Sequence, residues 1–330
     1  MNKFFKILSL IIFIFIFISC SQYEHLYKIT LKHGEKCGFI NYEGKLVIPA
    51  VYSYVYDFSE GVACVSKDNK TFYINEKNKI VIIPDVNNSS FFSEGLAVAS
   101  EKLKYGYINK KGKLQIPLIY DYANPFSNGV AWCEKDNTWY CINKNNKELF
   151  SCNYKLVNDF KNEYAIVVTQ DKKKIIINKA GTKIDVPDDY AIDSDYVLDT
   201  YEVILRKNDK QFLLNIKSGK ITEKKDKYLV FFDSLSNKYG LKDINNNILI
   251  NAMYDYLSLP DDKGYVLCGL GDDFEYLKYG YLSLNGDIII PIEFYQLDFF
   301  RNDMAVFQPR SVDGGYIRRD GKVFYAKDYL

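Results

Sequence analysis

The chain has 330 residues, long enough for two ordinary domains or one long array. Its 43 Lys and Arg against 42 Asp and Glu give a formal charge of +1, which provides no net field to attract nucleic acid or acidic lipid. Seven cysteines fit no zinc spacing, there is no Cys-x-x-Cys, and only two histidines occur, so soft-ligand metal binding and histidine-based catalysis are both disfavoured.

The first six residues carry Lys3 and Lys6 without an acid, and twelve apolar or small residues, Ile7 to Ile18, follow before Ser19 and Cys20. A twelve-residue stretch is too short for a bilayer that needs roughly 20 helical residues, so it reads as a secretion signal over 1–19 and not as an anchor. Phe17-Ile18-Ser19-Cys20 resembles a bacterial lipobox, with Phe17 where Leu, Val or Ile is usual. That resemblance implies cleavage before Cys20 and acylation of its sulfur, which makes Cys20 the lipidation site and the membrane anchor. Removal of 19 residues from 330 leaves 311, and loss of Lys3 and Lys6 takes the charge from +1 to −1. Residues 20–30 then form a short tether. Ser21 and Gln22 lack the aspartate that holds some lipoproteins at an inner membrane, which favours the outer membrane or cell surface.

From residue 31 to 330 one register returns. Marks aligned with Asn109 fall at Asn41, Asn75, Asn143, Asn178, Asn215, Asp243, Ser283 and Arg318. The intervals, taken in chain order, are 34, 34, 34, 35, 37, 28, 40 and 35 residues. A period of this size means an array of small units. Within a unit, Tyr105 to Asn109 and Lys113 to Pro117 alternate in polarity and read as strands, joined by a turn at Lys110-Lys111-Gly112. A corner, Pro125-Phe126-Ser127-Asn128-Gly129, leads to a third apolar run, Val130 to Cys133; Phe58-Ser59-Glu60-Gly61 and Phe92-Ser93-Glu94-Gly95 repeat it. Pro, Gly, Asn and Asp recur too often for helices, so the fold is all-β: tandem β-meander repeats of about 34 residues. Variable repeat length favours an open superhelix or solenoid, with a closed, propeller-like array as the alternative. Ala63, Ala97, Ala131, Ala165 and Ala305 share one register and mark a crowded stacking point, with Ile108-type and Leu114-type residues filling the core around it.

These residues resemble the WG-repeat family, whose units read approximately Trp-Gly-Phe-Ile-Asp-x-x-Gly-Lys-x-x-Ile-Pro-x-x-Tyr-Asp, then Phe-Ser-Glu-Gly-Leu-Ala. Tyr105 to Ala131 matches nearly end to end, with Tyr105, Tyr239, Tyr279, Cys37 or Gly314 in place of the tryptophan. The resemblance implies a secreted or surface-attached bacterial β-repeat protein.

Catalytic candidates are weak. No Gly-x-Ser-x-Gly occurs, and Gly-Lys pairs such as Gly112-Lys113 belong to hairpin turns, not phosphate loops. Paired acids at Asp188-Asp189, Asp261-Asp262 and Asp272-Asp273 are ordinary in loops, although Gly269 to Asp273 interrupts the longest interval and is the most unusual insertion. The sequence therefore points to no catalytic residue, metal site or cofactor, and to no enzyme. Tyrosine, 29 residues in all, is the richer signal. Tyr52, Tyr120 and Tyr254 recur at one register as a possible ladder, while Tyr56, Tyr122 and Tyr256 are the candidate binding residues, because a phenol anchors protein partners and stacks on sugars. The expected function is a lipid-anchored envelope protein whose array is a surface for an envelope protein partner, with glycan or peptidoglycan as the alternative ligand. Cys133 and Cys141 flank a turn centred on Asn137 and are a possible cross-strand disulfide.

Overall fold

The structure is a computed structural model that describes residues 25–31, 36–271, 276–308 and 314–329. The signal segment, Cys20, Asp272 and Asp273 lie outside the described residues. Within them, nine small antiparallel sheets follow one another along the chain as the nine blades of a closed propeller ring. Blade 4 shows the full pattern: Tyr122–Ala123, Val130–Lys135, Thr138–Asn143 and Glu148–Cys152, each paired with the next. Seven blades have these four strands, and blades 1 and 7 have three. The unit thus holds one strand more than the three apolar runs indicate, because the additional strand is mostly two residues long and carries no periodicity to read. Blade 1 opens with Tyr27–Leu31, so residues 27–30 belong to the array and not to the tether.

The local chemistry explains the repeat marks. The Asn109 carboxamide accepts the backbone N–H groups of Lys111 at 2.9 Å and Lys113 at 3.3 Å, closing an Asx-type turn. Asn75, Asn143 and Asn178 do the same, and Asp243 and the Ser283 hydroxyl substitute for them. The glycine preceded by an aromatic serves a different need. A Cβ on Gly106 would lie 2.4 Å from the carbonyl oxygens of Ile116 and Pro117, where the pairing slips from Tyr105↔Tyr120 to Tyr107↔Ile116. The glycine therefore admits a β-bulge, with proline on the bulged strand in blades 1, 3 and 8 and Asn251 in its place in blade 7. The bulged last strands of blades 1, 3, 7 and 8 run on into the next blade after one intervening residue, at Ser53, Asp121, Asp255 and Tyr295.

The core lies between blades. One cluster joins Phe39, Ile48 and Tyr52 of blade 1 to Val55, Ala63 and Val65 of blade 2, and equivalent clusters follow around the ring. The five register alanines are all buried to 2 % exposure or less, in keeping with a close stacking point. Leu114 is a correction: it is 43 % exposed, whereas Ile116 is fully buried, and the pairing slips between the two, from Tyr107↔Ile116 to Ile108↔Leu114, so that the regular alternation is interrupted there. Tyr52, Tyr120 and Tyr254 are also core, at 5–6 % exposure; the Tyr52 and Tyr120 hydroxyls donate to Asn78 and Asn146.

Closure overturns the expected open superhelix. Tyr27, Ile29, Leu31 and Ile40 of blade 1 pack with Met304, Phe324 and Ala326 at the other end of the chain. Around this cluster Tyr316 donates to Lys28 O, Tyr329 donates to Gly44 O, and Arg318 pairs with Glu43 at 3.0 Å. Variable repeat length does not prevent closure, since it is absorbed outside the stacking strands. The 28-residue interval omits one short strand in blade 7, and the 40-residue interval lengthens two loops of blade 8.

Candidate binding surface

The Phe-Ser-Glu-Gly corner is a two-residue hairpin: Ser59 and Val62 bridge, and both Glu60 (φ 52°) and Gly61 (φ 83°) have positive φ, as a type I′ turn requires. Each corner also latches the next blade. Ser59, Ser93 and Ser127 donate at 2.6 Å to the carbonyls of Phe92, Phe126 and Phe160. Glu60 accepts from Gly95 N and pairs with Lys110 at 3.1 Å; Glu94 repeats this with Gly129 N and Lys144. Burial works against the Glu60 carboxylate, but these donors outweigh it and lower its pKa. The corners are thus the inter-blade joints, and their polar residues are structurally occupied.

The three candidate tyrosines do not share a position. Tyr122 and Tyr256 open blades 4 and 8 directly after a bulged strand, a place held in blade 2 by Tyr54. Tyr56 lies two residues further on and packs under Tyr54 (5.0 Å) and Phe91 (5.8 Å). Tyr256 leans on Tyr279 at 5.8 Å. Tyr122 is 47 % exposed and forms a surface group with Tyr105 (5.8 Å) and Trp139 (6.1 Å). Tyr54, also 47 % exposed, is the residue the sequence reading passed over, and the rule that finds it is position relative to the bulge.

Cys133 and Cys141 are not partners. The hairpin at Asp136-Asn137 forms, but its register sets Cys133 opposite Tyr140 and Cys141 opposite Trp132. The two thiols therefore point to opposite faces of the blade, Cys133 into the core shared with blade 3 and Cys141 into that shared with blade 5. Burial pushes both thiols up to about 12 and Cys64 to about 11. Native protein at pH 8 is accordingly expected to leave Cys133 and Cys141 unalkylated by iodoacetamide, and urea should expose both as single free thiols in the mass spectrum. A mass deficit of two hydrogens across the pair would contradict this placement.

The paired acids are mostly engaged. Asp189 pairs with Lys207, and Asp261 accepts Arg319 at 2.6 Å beneath Tyr265 and Phe300. Among the described residues no group of three His, Cys, Asp or Glu side chains is placed to hold a metal. A cleft of about 780 Å³, unanticipated from sequence, lies between blades 5 and 6 and is lined by Lys172, Lys173, Asp188, Tyr190, Arg206 and Asn208, among others. Arg206 is already paired with Asp193, and Lys174 with Asp195.

Blade 7 carries more exposed large apolar side chains than any other blade among the described residues. Its first strand, Tyr228–Asp233, has no buried residue, with Leu229 at 42 % and Phe232 at 51 % exposure. Leu235, Tyr239, Ile244, Ile248 and Met253 of the same blade are also exposed. Eight buried clusters join neighbouring blades, and none of them joins blades 6 and 7.

Comparison with known proteins agrees on the repeat. The family described as WG containing repeat matches residues 38–70, 72–102, 105–139, 141–173 and 279–308, so the chain carries five such repeats. No curated protein matches the sequence. Many solved structures are similar to it, three of which follow. The computationally designed Ika8 protein is 12 % identical with a TM-score of 0.38, over 82 % of this chain and 95 % of that one. The dihydro-heme d1 dehydrogenase NirN in complex with DHE is 8 % identical with a TM-score of 0.37, over 93 % and 72 %. A protein of unknown function from Bacteroides caccae is 15 % identical with a TM-score of 0.28, over 81 % and 92 %.

Proposed function

We propose that this ring of WG repeats is a non-catalytic binding module of the bacterial cell envelope, anchored through a lipid on Cys20 and presenting its surface to a protein partner. The observation that carries the reading is blade 7, where seven large apolar side chains from Leu229 to Met253 stand exposed, more than on any other blade among the described residues. A concentration of apolar exposure on one small unit supports an interaction site. A photocrosslinking residue at position 235 is expected to capture one envelope protein in intact cells, and the paired change Leu229→Lys and Phe232→Lys should abolish that capture. Equal capture from blade 7 and from the Lys77 turn of blade 2 would count against a specific surface.

A second reading, glycan binding, rests on the Tyr105, Tyr122 and Trp139 group. Binding of purified protein to peptidoglycan or polysaccharide that is lost in Tyr122→Ala and kept in Phe232→Lys would put it first. The anchor has its own test. Cys20→Ala should move the protein from the membrane to the soluble fraction or leave the precursor uncleaved; unchanged detergent partitioning would refute lipidation.

A further inference from the structure

In the four-stranded blades a first strand, two residues long in all but blade 3, covers the backbone edge of the second. Asp121 N donates to Glu134 O and Asn124 N to Trp132 O in blade 4; Asp255 N to Gly269 O and Ser258 N to Leu267 O in blade 8. Blades 2, 5, 6 and 9 make one or both of these bonds at the same register. Blade 7 lacks the covering strand. Aligned through the pairs Phe232↔Tyr239 and Glu134↔Trp139, its equivalent acceptors are Phe232 O and Val230 O. No described residue donates to either. In the other three-stranded blade the carbonyl equivalent to Val230 O, Lys28 O, accepts from Tyr316 across the ring closure, whereas in blade 7 both carbonyls are left open among the described residues.

We propose that blade 7 binds an extended segment of a partner protein, which adds the missing strand along Tyr228–Asp233. This deepens the protein-binding reading and rests on it. Strand addition supplies affinity through main-chain hydrogen bonds and specificity through alternate side chains. The sibling strands define the occupant. In blades 2, 5 and 9 an inward apolar residue, Val55, Val157 or Leu297, is followed within two positions by an acid, Asp57, Asp159 or Asp298, whereas blades 4 and 8 have Asn124 and Ser258 after Ala123 and Leu257. Antiparallel pairing places that acid beside the start of the blade 7 strand, where Lys225 and Lys227 are exposed and neither is within salt-bridge distance of a carboxylate among the described residues. The fitting ligand is therefore an apolar, extended peptide with an acidic residue on its C-terminal side.

The probe is a fluorescent peptide copying residues 154–160, Tyr-Lys-Leu-Val-Asn-Asp-Phe, titrated into the full-length chain in detergent and read by anisotropy. Saturable binding is expected, weakened at least tenfold by Leu229→Lys with Phe232→Lys, and equally by N-methylation of the peptide at the lysine whose counterpart, Lys155, donates to Val168 O. Both substituted residues are solvent-exposed, so the fold should survive. Binding no stronger than that of a scrambled peptide, or unmoved by either change, overturns the proposal. Dimerisation of the chain that the same double substitution abolishes would also overturn it, by making a second copy the occupant. If the peptide fails while position 235 still captures a protein in cells, strand addition falls and the protein-binding reading stands.

Discussion

Trp132→Ala is expected to cost about 3–5 kcal/mol of unfolding free energy, as full truncation of a buried tryptophan does. Trp132 is 1 % exposed at the joint between blades 4 and 5, stacked on Phe160 at 5.5 Å and met edge-on by Phe150 at 5.5 Å. Its Nε1 donates to Asn158 O at 3.0 Å, a carbonyl that would lose its partner. The conservative Trp132→Phe should lose the hydrogen bond and retain most of the ring contact, at about 1–3 kcal/mol. Urea unfolding of the two variants and the parent measures both values. A loss below about 1 kcal/mol for the alanine variant would mean that this joint adapts instead of being packed like an interior.

The unit was legible in the sequence because its signals are local. Asn109 and its counterparts must supply a carboxamide to a tight turn, and Gly106 must admit two carbonyl oxygens, so both residue types recur wherever that geometry does. Closure was not legible, because it depends on the rotation from blade to blade summed around the ring, and no single repeat encodes that sum. The apolar residues at the two chain ends, Tyr27 and Ile29 against Phe324 and Ala326, were the available hint. Exposure of the tyrosines was only partly readable. Tyr56 and Tyr122 read alike in the sequence as candidate binding residues, yet Tyr56 is covered by its neighbours while Tyr122 is open. Likewise the 28-residue interval declared a shortened unit. Only the strand order shows that the omitted piece is the covering strand, which makes blade 7 an open edge.

Closure itself can be tested by comparing two glycines of similar backbone conformation. Gly44 has φ +78° and Gly61 has φ +83°, so an alanine at either pays for a left-handed backbone, about 1–3 kcal/mol. Their surroundings differ. A Cβ on Gly61 meets nothing within 4 Å, whereas one on Gly44 lies 2.1 Å from the ring of Phe324, the aromatic that brings the end of the chain onto blade 1. Phe324 is 6 % exposed and packed in the closing cluster, so its ring moves only by disturbing that cluster. Gly44→Ala should therefore cost about 1–3 kcal/mol more than Gly61→Ala, the usual penalty of overpacking. Phe324→Ala in the Gly44→Ala background should remove that excess, because the two substitutions share one contact. Unfolding curves of the two glycine variants, of Phe324→Ala and of the double variant give the coupling directly. In an open superhelix Gly44 and Phe324 would lie at opposite ends of the array, so equal costs for the two glycine variants, with no coupling to Phe324, would exclude the closed ring.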